Sequence, residues 1–163
     1  MMSSVQIRKA VVTDVDQLAS LAHELNLFHD DDTRPSPDLL RQHWGKYESF
    51  VAVAQEHELV GYIAGHATYE FHTATPGYKI QNMAVTRGHR RSGVGRALMY
   101  WVVFEKYETG IRNFSLGVED GNDTALAFYR SMGFVDRDCG AFKSCSLRGE
   151  ALEAVVREIR SKM

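Results

Sequence analysis

The stretch that most limits what this chain can fold into is Tyr78–Tyr100, YKIQNMAVTRGHRRSGVGRALMY. Tyr78–Val85 leans apolar and carries β-type residues, which predicts a strand. Thr86–Ser92 is a turn holding Arg87, His89, Arg90 and Arg91 beside Gly88. Gly93 then opens a run in which Val94, Ala97, Leu98, Trp101 and Val102 recur at helical spacing. A strand, an arginine-and-glycine turn and a helix start describe an anion site. The first N–H groups of a helix have no intrahelical acceptor, and the helix dipole adds partial positive charge there. Gly93 and Gly95 remove side chains that would hold a phosphate away from those groups. Arg90, Arg91 and Arg96 add full charges at the same rim, which suits a pyrophosphate.

Spacing narrows the choice. A third glycine for G-x-G-x-x-G is missing after Gly93-Val94-Gly95, and no G-x-x-x-x-G-K-[ST] loop is present. What stands there is Arg90-x-x-Gly93-x-Gly95, directly after a strand and at a helix start. This resembles the acetyl-CoA signature of the GNAT superfamily of N-acetyltransferases. Asn122 to Phe134, NDTALAFYRSMGF, resembles that family's second motif, N-x-x-A-x-x-x-Y-x-x-x-G-F. It follows a strand-like run, Asn113–Val118, as in the family. The resemblance covers Gln6 to about Ser146, nearly the whole chain.

The resemblance implies an α+β fold, with a central mixed, mostly antiparallel sheet flanked by helices. In the family the central and following strands part, and the cofactor's pantetheine arm lies in the gap. Carried over by position, the acetyl-CoA contacts are Met83, Ala84, Val85, Arg90, Arg91, Ser92, Gly93, Val94, Gly95, Arg96, Asn122, Ala125 and Tyr129. Asn122 also reads as an N-cap for the helix that follows it.

With 163 residues, the chain suits a single domain with a real core, so 1–163 is taken as one N-acetyltransferase domain. A net charge of −2 gives no reason to expect a nucleic-acid or membrane partner. No apolar run is long enough to cross a bilayer, and the N-terminus shows no signal-peptide core. Cys139 and Cys145 form no CxxC and read as reduced thiols of a cytoplasmic protein. The histidines show no metal-ligand spacing, so no metal is expected.

Along the chain, Val5–Ala10 predicts a strand and Val15–Phe28 a helix, its apolar residues at i, i+3, i+4. Pro37 starts a second helix running to about Lys46. Ser49–Ala54 and Leu59–Phe71 form a hairpin, and His72–Gly77 is a loop. The helix after the glycine turn ends near Gly110. Asp123–Met132 is a short helix, Phe134–Arg137 and Phe142–Ser146 a last hairpin, and Ala151–Ile159 a C-terminal helix.

Acyl transfer to an amine needs a neutral amine, a polarised carbonyl, a proton for the leaving thiolate and a held geometry. Tyr129 stands at the family's general-acid position. A phenol of ordinary pKa about 10 keeps its proton at neutral pH until a thiolate forms. The base is where this chain departs from many relatives, which carry a glutamate four residues before the valine matched by Val85. Here that position is Gln81, followed by Asn82, and neither amide accepts a proton at neutral pH. Either a water chain to Glu119, Asp120 or His66 takes the proton, or the amine is recruited already neutral.

Asp30 and Asp31, with Asp32, form an acidic run between the first two helices that suits a cationic amine. Asp30, Asp31, Gln81 and Glu119 are therefore the acceptor-binding candidates. Leu25 to Leu40 and the Gly140–Lys143 tail are similar to the diamine and thialysine acetyltransferases. The leading function is acetyl transfer from acetyl-CoA to a primary amine of a small molecule, polyamine-like or amino-acid-like, in a homodimer. An aminoglycoside or a protein N-terminus remains open as acceptor. A non-catalytic acyl-CoA sensor is the reading from another class.

Overall fold

The computed structural model describes residues 5–140 and 142–163. Within them, β1 (Gln6–Lys9), β2 (Glu48–Val53), β3 (Leu59–Glu70), β4 (Thr75–Val85), β5 (Asn113–Glu119), β6 (Val135–Asp138) and β7 (Phe142–Arg148) build one sheet. Its order is β1-β2-β3-β4-β5-β7-β6. The helices are α1 (Val15–Phe28), α2 (Pro37–Gln42), α3 (Val94–Glu108), α4 (Asp123–Ser131) and α5 (Gly149–Lys162). β4 pairs with β5 in parallel, whereas β1–β2, β2–β3, β5–β7 and β6–β7 are antiparallel. This is the mixed α+β sheet expected from the sequence. No helix among the described residues is long and apolar enough to cross a membrane.

Two elements differ from the sequence reading. α2 stops at Gln42, and the chain turns away at Gly45, whose φ of 97° is not helical; Trp44 and Tyr47 on either side of it meet edge to face with centroids 5.7 Å apart. The Tyr47 hydroxyl also donates back to the Leu40 carbonyl at 3.1 Å. β4 begins at Thr75, inside the stretch read as a loop. Gly77 is a strand residue there because of crowding: a Cβ on it would lie 2.5 Å from Thr68 Oγ1. Of the Gly140–Lys143 tail, Ala141 lies outside the described residues.

The chain divides into two compact units, Met1–His66 with Asn82–Trp101, and Ala67–Gln81 with Val102–Met163. In the first, Leu18 and Leu21 of α1 pack with Val51, Val53, Leu59 and Tyr62 of β2 and β3. β2 is buried along nearly its whole length, which explains its unbroken apolar run. Phe50 and Trp101 meet at 5.4 Å. β1 is tied to the start of α1 by Arg8, whose guanidinium donates twice to the Asp14 carboxylate, at 2.7 and 3.0 Å. The Val11 N–H gives Asp14 a third bond at 2.8 Å.

In the second unit, β5 and β7 pair over seven residues, from Asn113–Arg148 to Glu119–Phe142. Phe114, Leu116, Cys145 and Leu147 are buried on one face, as are Leu152, Val155, Val156 and Ile159 of α5. Tyr78 is buried beside Phe114, and the Lys106 ammonium lies 5.3 Å from the Tyr78 ring centre.

Hydrogen bonding by Arg8 holds the Asp14 carboxyl below the usual carboxylate range, against the opposing effect of burial. The folded chain therefore keeps Asp14 ionised to lower pH than the unfolded chain does. That stability is present above the unfolded pKa of about 4 and is lost as pH falls through the folded value. Asp14→Asn should destabilise by about 1.5–3 kcal/mol at neutral pH, with the gap to wild type closing in acid. Urea unfolding of both proteins at neutral pH and in acid measures this, and equal midpoints at neutral pH would refute it.

Candidate active site

In the first unit, β4 ends at Met83, Ala84 and Val85, all half-buried, and the chain turns through a short 3-10 segment at Arg87–His89. Thr86 and His89 stabilise that turn through a side-chain bond of 3.1 Å and a backbone bond of 2.9 Å. Arg90 Nε donates to the Val85 carbonyl at 3.0 Å, and its guanidinium lies 5.8 Å from the Phe28 ring centre at the end of α1. The Ser92 hydroxyl donates to the His89 carbonyl.

Arg91 and Gly93 both take left-handed backbone, with φ of 60° and 89°. At Gly93 this conformation comes without strain, and nothing lies within 4 Å of where a Cβ would stand. α3's entry bond runs from the Ala97 N–H to the Gly93 carbonyl at 2.9 Å. The N–H groups of Val94, Gly95 and Arg96 therefore have no acceptor within the helix. Arg96 folds along α3, with Nη1 3.3 Å from the Tyr100 hydroxyl. None of Arg87, Arg90 and Arg91 pairs with a carboxylate among the described residues, and Arg91 makes no side-chain bond at all. Arg87, Arg90 and Arg91 thus form a cationic edge unpaired with any carboxylate among the described residues, beside the first amides of α3, as an anion site requires.

Asp30 and Asp31 follow α1 in the same unit. Asp31 accepts from the Thr33 N–H and hydroxyl, at 2.8 and 2.5 Å, which hold its carboxyl below the ordinary range. Asp32 pairs with His23 at 3.0 Å. Two of the three carboxylates thus fix their own turn, while Asp30 makes no side-chain bond among the described residues. Nothing in the sequence marked His23, nine positions earlier, as the partner.

In the second unit, Gln81 and Glu119 lie exposed near the ends of β4 and β5. Asn122 caps α4, its Oδ1 accepting from the Ala125 N–H at 3.2 Å, so these two candidates are bonded to each other. Tyr129 is half-buried on α4, between the edge-on rings of Phe128 at 5.3 Å and Phe134 at 5.8 Å. Burial, with a smaller contribution from the Cys145 thiol, pushes the Tyr129 phenol up to about 12. A two-pronged bond from Arg130 to Asp136, 2.7 and 2.9 Å, pins the end of α4 to β6. No spacing or motif in the sequence marks that clamp. Met83, Ala84, Val85 and Arg90–Arg96 are thus gathered at one end of the first unit. Asn122, Ala125 and Tyr129 are gathered on one short helix of the second.

Residues 15–134 match the family model described as the acetyltransferase (GNAT) family. Streptothricin acetyltransferase of Streptomyces lavendulae is 31% identical over 104 residues, 63% of this chain and 53% of that protein. L-ornithine N5-acetyltransferase of Arabidopsis thaliana is 28% identical over 100 residues, 60% of this chain and 42% of that protein. The chain spans between about a third and about half the length of the curated relatives it matches. Among solved structures, the PaiA N-acetyltransferase of Thermoplasma acidophilum with coenzyme A superposes at a TM-score of 0.74. It shares 17% identity, over 90% of this chain and 99% of that one, a likeness of fold.

The capping role of Asn122 gives a direct expectation. Asn122→Ala should lose about 1 kcal/mol of stability, and Asn122→Ser should recover most of it. Urea midpoints of the three proteins decide, and an unchanged midpoint in the alanine variant would remove the cap from the account.

Proposed function

The chain belongs to the acetyltransferase (GNAT) family, and on that footing we propose that it moves an acetyl group from acetyl-CoA to the primary amine of a small polyamine-like or amino-acid-like molecule. The observation that carries this reading is the cationic edge of Arg90 and Arg91, neither paired with a carboxylate among the described residues, at the start of α3, where the amides of Val94 and Gly95 have no acceptor within the helix. Those groups fit the pyrophosphate of coenzyme A. The backbone of Met83, Ala84 and Val85 serves the pantetheine arm and the thioester carbonyl. Ser92, Asn122 and Ala125 complete the cofactor contacts. Residues 1–163 act in this reading as one acetyltransferase domain.

The amine attacks the thioester carbon directly. Nitrogen–carbon bond formation expels the thiolate, and the Tyr129 phenol supplies its proton. A phenol held at about 12 keeps that proton throughout the range in which the amine becomes neutral. It gives it up to a thiolate formed in a dry site, where desolvation also raises thiolate basicity. Gln81 offers an amide donor rather than a base, so the amine loses its proton to water near Glu119 or arrives neutral. Asp30, with Asp31, attracts the cationic end of the acceptor. The relatives named for ornithine and streptothricin support a small-molecule acceptor, while a relative named for an alanine of ribosomal protein bS18 keeps a protein amine as the second reading. Two unbridged cysteines, one exposed and one buried, suit a cytoplasmic location. A homodimer completes the reading, and sedimentation velocity tests it.

Thiol release from acetyl-CoA across a panel of diamines, basic amino acids, aminoglycosides and N-terminal peptides tests the whole reading. Tyr129→Phe should lower kcat/KM by about 10²–10⁴ with little change in the KM for acetyl-CoA. Wild-type kcat/KM should rise with pH as the amine deprotonates and show no descending limb up to about pH 10, because the phenol titrates later. Arg91→Ala, which breaks no bond inside the protein, should raise the KM for acetyl-CoA about tenfold. Coenzyme A binding without turnover on any amine would replace this reading with the sensor. An unchanged kcat/KM in Tyr129→Phe would remove the general acid.

A further inference from the structure

The second unit carries a depression of about 480 Å³ on the face of β5, β7 and β6 that Phe114, Leu116, Cys145 and Leu147 do not occupy. Strand alternation puts Ser144, Ser146 and Arg148 of β7 on that face. Register sets Asn113 opposite Arg148, Ser115 opposite Ser146, and Arg137 of β6 opposite Ser144. The strand ladder therefore gathers two guanidinium groups and three hydroxyls on one patch.

The charges in this patch are unequally used. The Arg137 and Arg148 side chains make no hydrogen bond or ion pair among the described residues. In the same unit, Arg130 is bound by Asp136 at 2.7 and 2.9 Å and Arg160 by Glu108 at 2.7 Å. Asp136 also lines the depression, but Arg130 already occupies its carboxylate. α5 starts immediately after Arg148, which gives it no side-chain cap, and Ala151 of its first turn lines the depression. Its leading amides thus lack a side-chain acceptor on the side where the two arginines stand.

A separate observation comes from Asn113, which is 4% exposed and also lines the depression. Its Nδ2 donates to Glu70 Oε1, and this fixes the amide, since a flip would set two oxygens against each other. The Asn113 Oδ1 is left buried with no donor. A buried acceptor without a partner is costly, and a group that brings a donor relieves it.

We propose that this depression is an oxyanion subsite that takes a carboxylate or a phosphate between Arg137 and Arg148, with Ser144, Ser146 and the first amides of α5 as further donors. The Glu70 carboxylate at one end disfavours a highly charged anion. Together with the buried, unpartnered Asn113 oxygen, it favours a small ligand carrying a donor beside its oxyanion. Hydrogen phosphate and an α-amino acid share that chemistry.

Amide correlation spectra of the ¹⁵N-labelled full chain test this, with inorganic phosphate, glycine and acetate titrated at constant ionic strength. Saturable shifts centred on Ser144, Ser146 and Glu150–Leu152 are expected with phosphate or with glycine, and weaker ones with acetate, which has no donor. Whichever of the first two saturates at lower concentration identifies the ligand class. Arg137→Gln with Arg148→Gln should weaken that binding about tenfold or more while spectral dispersion and Tm stay as in wild type. Should the double variant fold poorly, Arg137→Gln alone, on the edge strand, carries the test. Shifts that never saturate, that survive the substitution, or that fall only on residues 90–96 would overturn the proposal.

Discussion

The amides that open α3 have no acceptor inside the helix, and the structure around them depends on that fact. Gly93 takes left-handed backbone where the chain enters α3, and Arg90 is anchored on the Val85 carbonyl instead of on an acid. A carboxylate beside Arg91 would neutralise the edge, and none is bonded there. The two kinds of donor contribute differently. A helix terminus stabilises an anion by about 0.3–1 kcal/mol, whereas a charge-assisted bond from a guanidinium contributes about 1.5–3. In the proposed reading the arginines would govern how tightly a phosphate is held, and the amides where it sits.

Tyr129 shows why position has to be weighed with electrostatics. Tyr62, packed among Leu18, Val51 and Leu59, is also driven well above the ordinary phenol range by burial, and it is a core residue. A raised phenol by itself reports desolvation. What sets Tyr129 apart is its place on α4, behind a capped first turn and ahead of the Arg130–Asp136 clamp. Those bonds fix the helix at both ends, so the phenol is presented on a rigid support.

Much of this was legible in the sequence where one residue type has few alternatives. Gly93 and Gly95 before an apolar helical run marked the turn, and Asn122 marked the start of α4. The rest was not legible because partners elsewhere in the chain decide it. Pro76 and Gly77 look like a loop, yet Gly77 is the residue that lets β4 pass Thr68 and Asn113. In the acidic run Asp30–Asp32, Thr33 and His23 bind Asp31 and Asp32 into a turn, pairings that no spacing in the sequence marks. Arg130 and Asp136 are separated by the turn at Gly133, and no periodic pattern connects them.

The two cysteines differ in accessibility as much as side chains can. Cys145 is buried, and desolvation pushes its thiol up, while Cys139 is exposed at the lip of the depression bordered by Arg137. Natural sequence alone thus provides one addressable thiol. A maleimide dye or spin label would attach at Cys139 without any cysteine being removed, and would report from beside β6 on whatever enters that face.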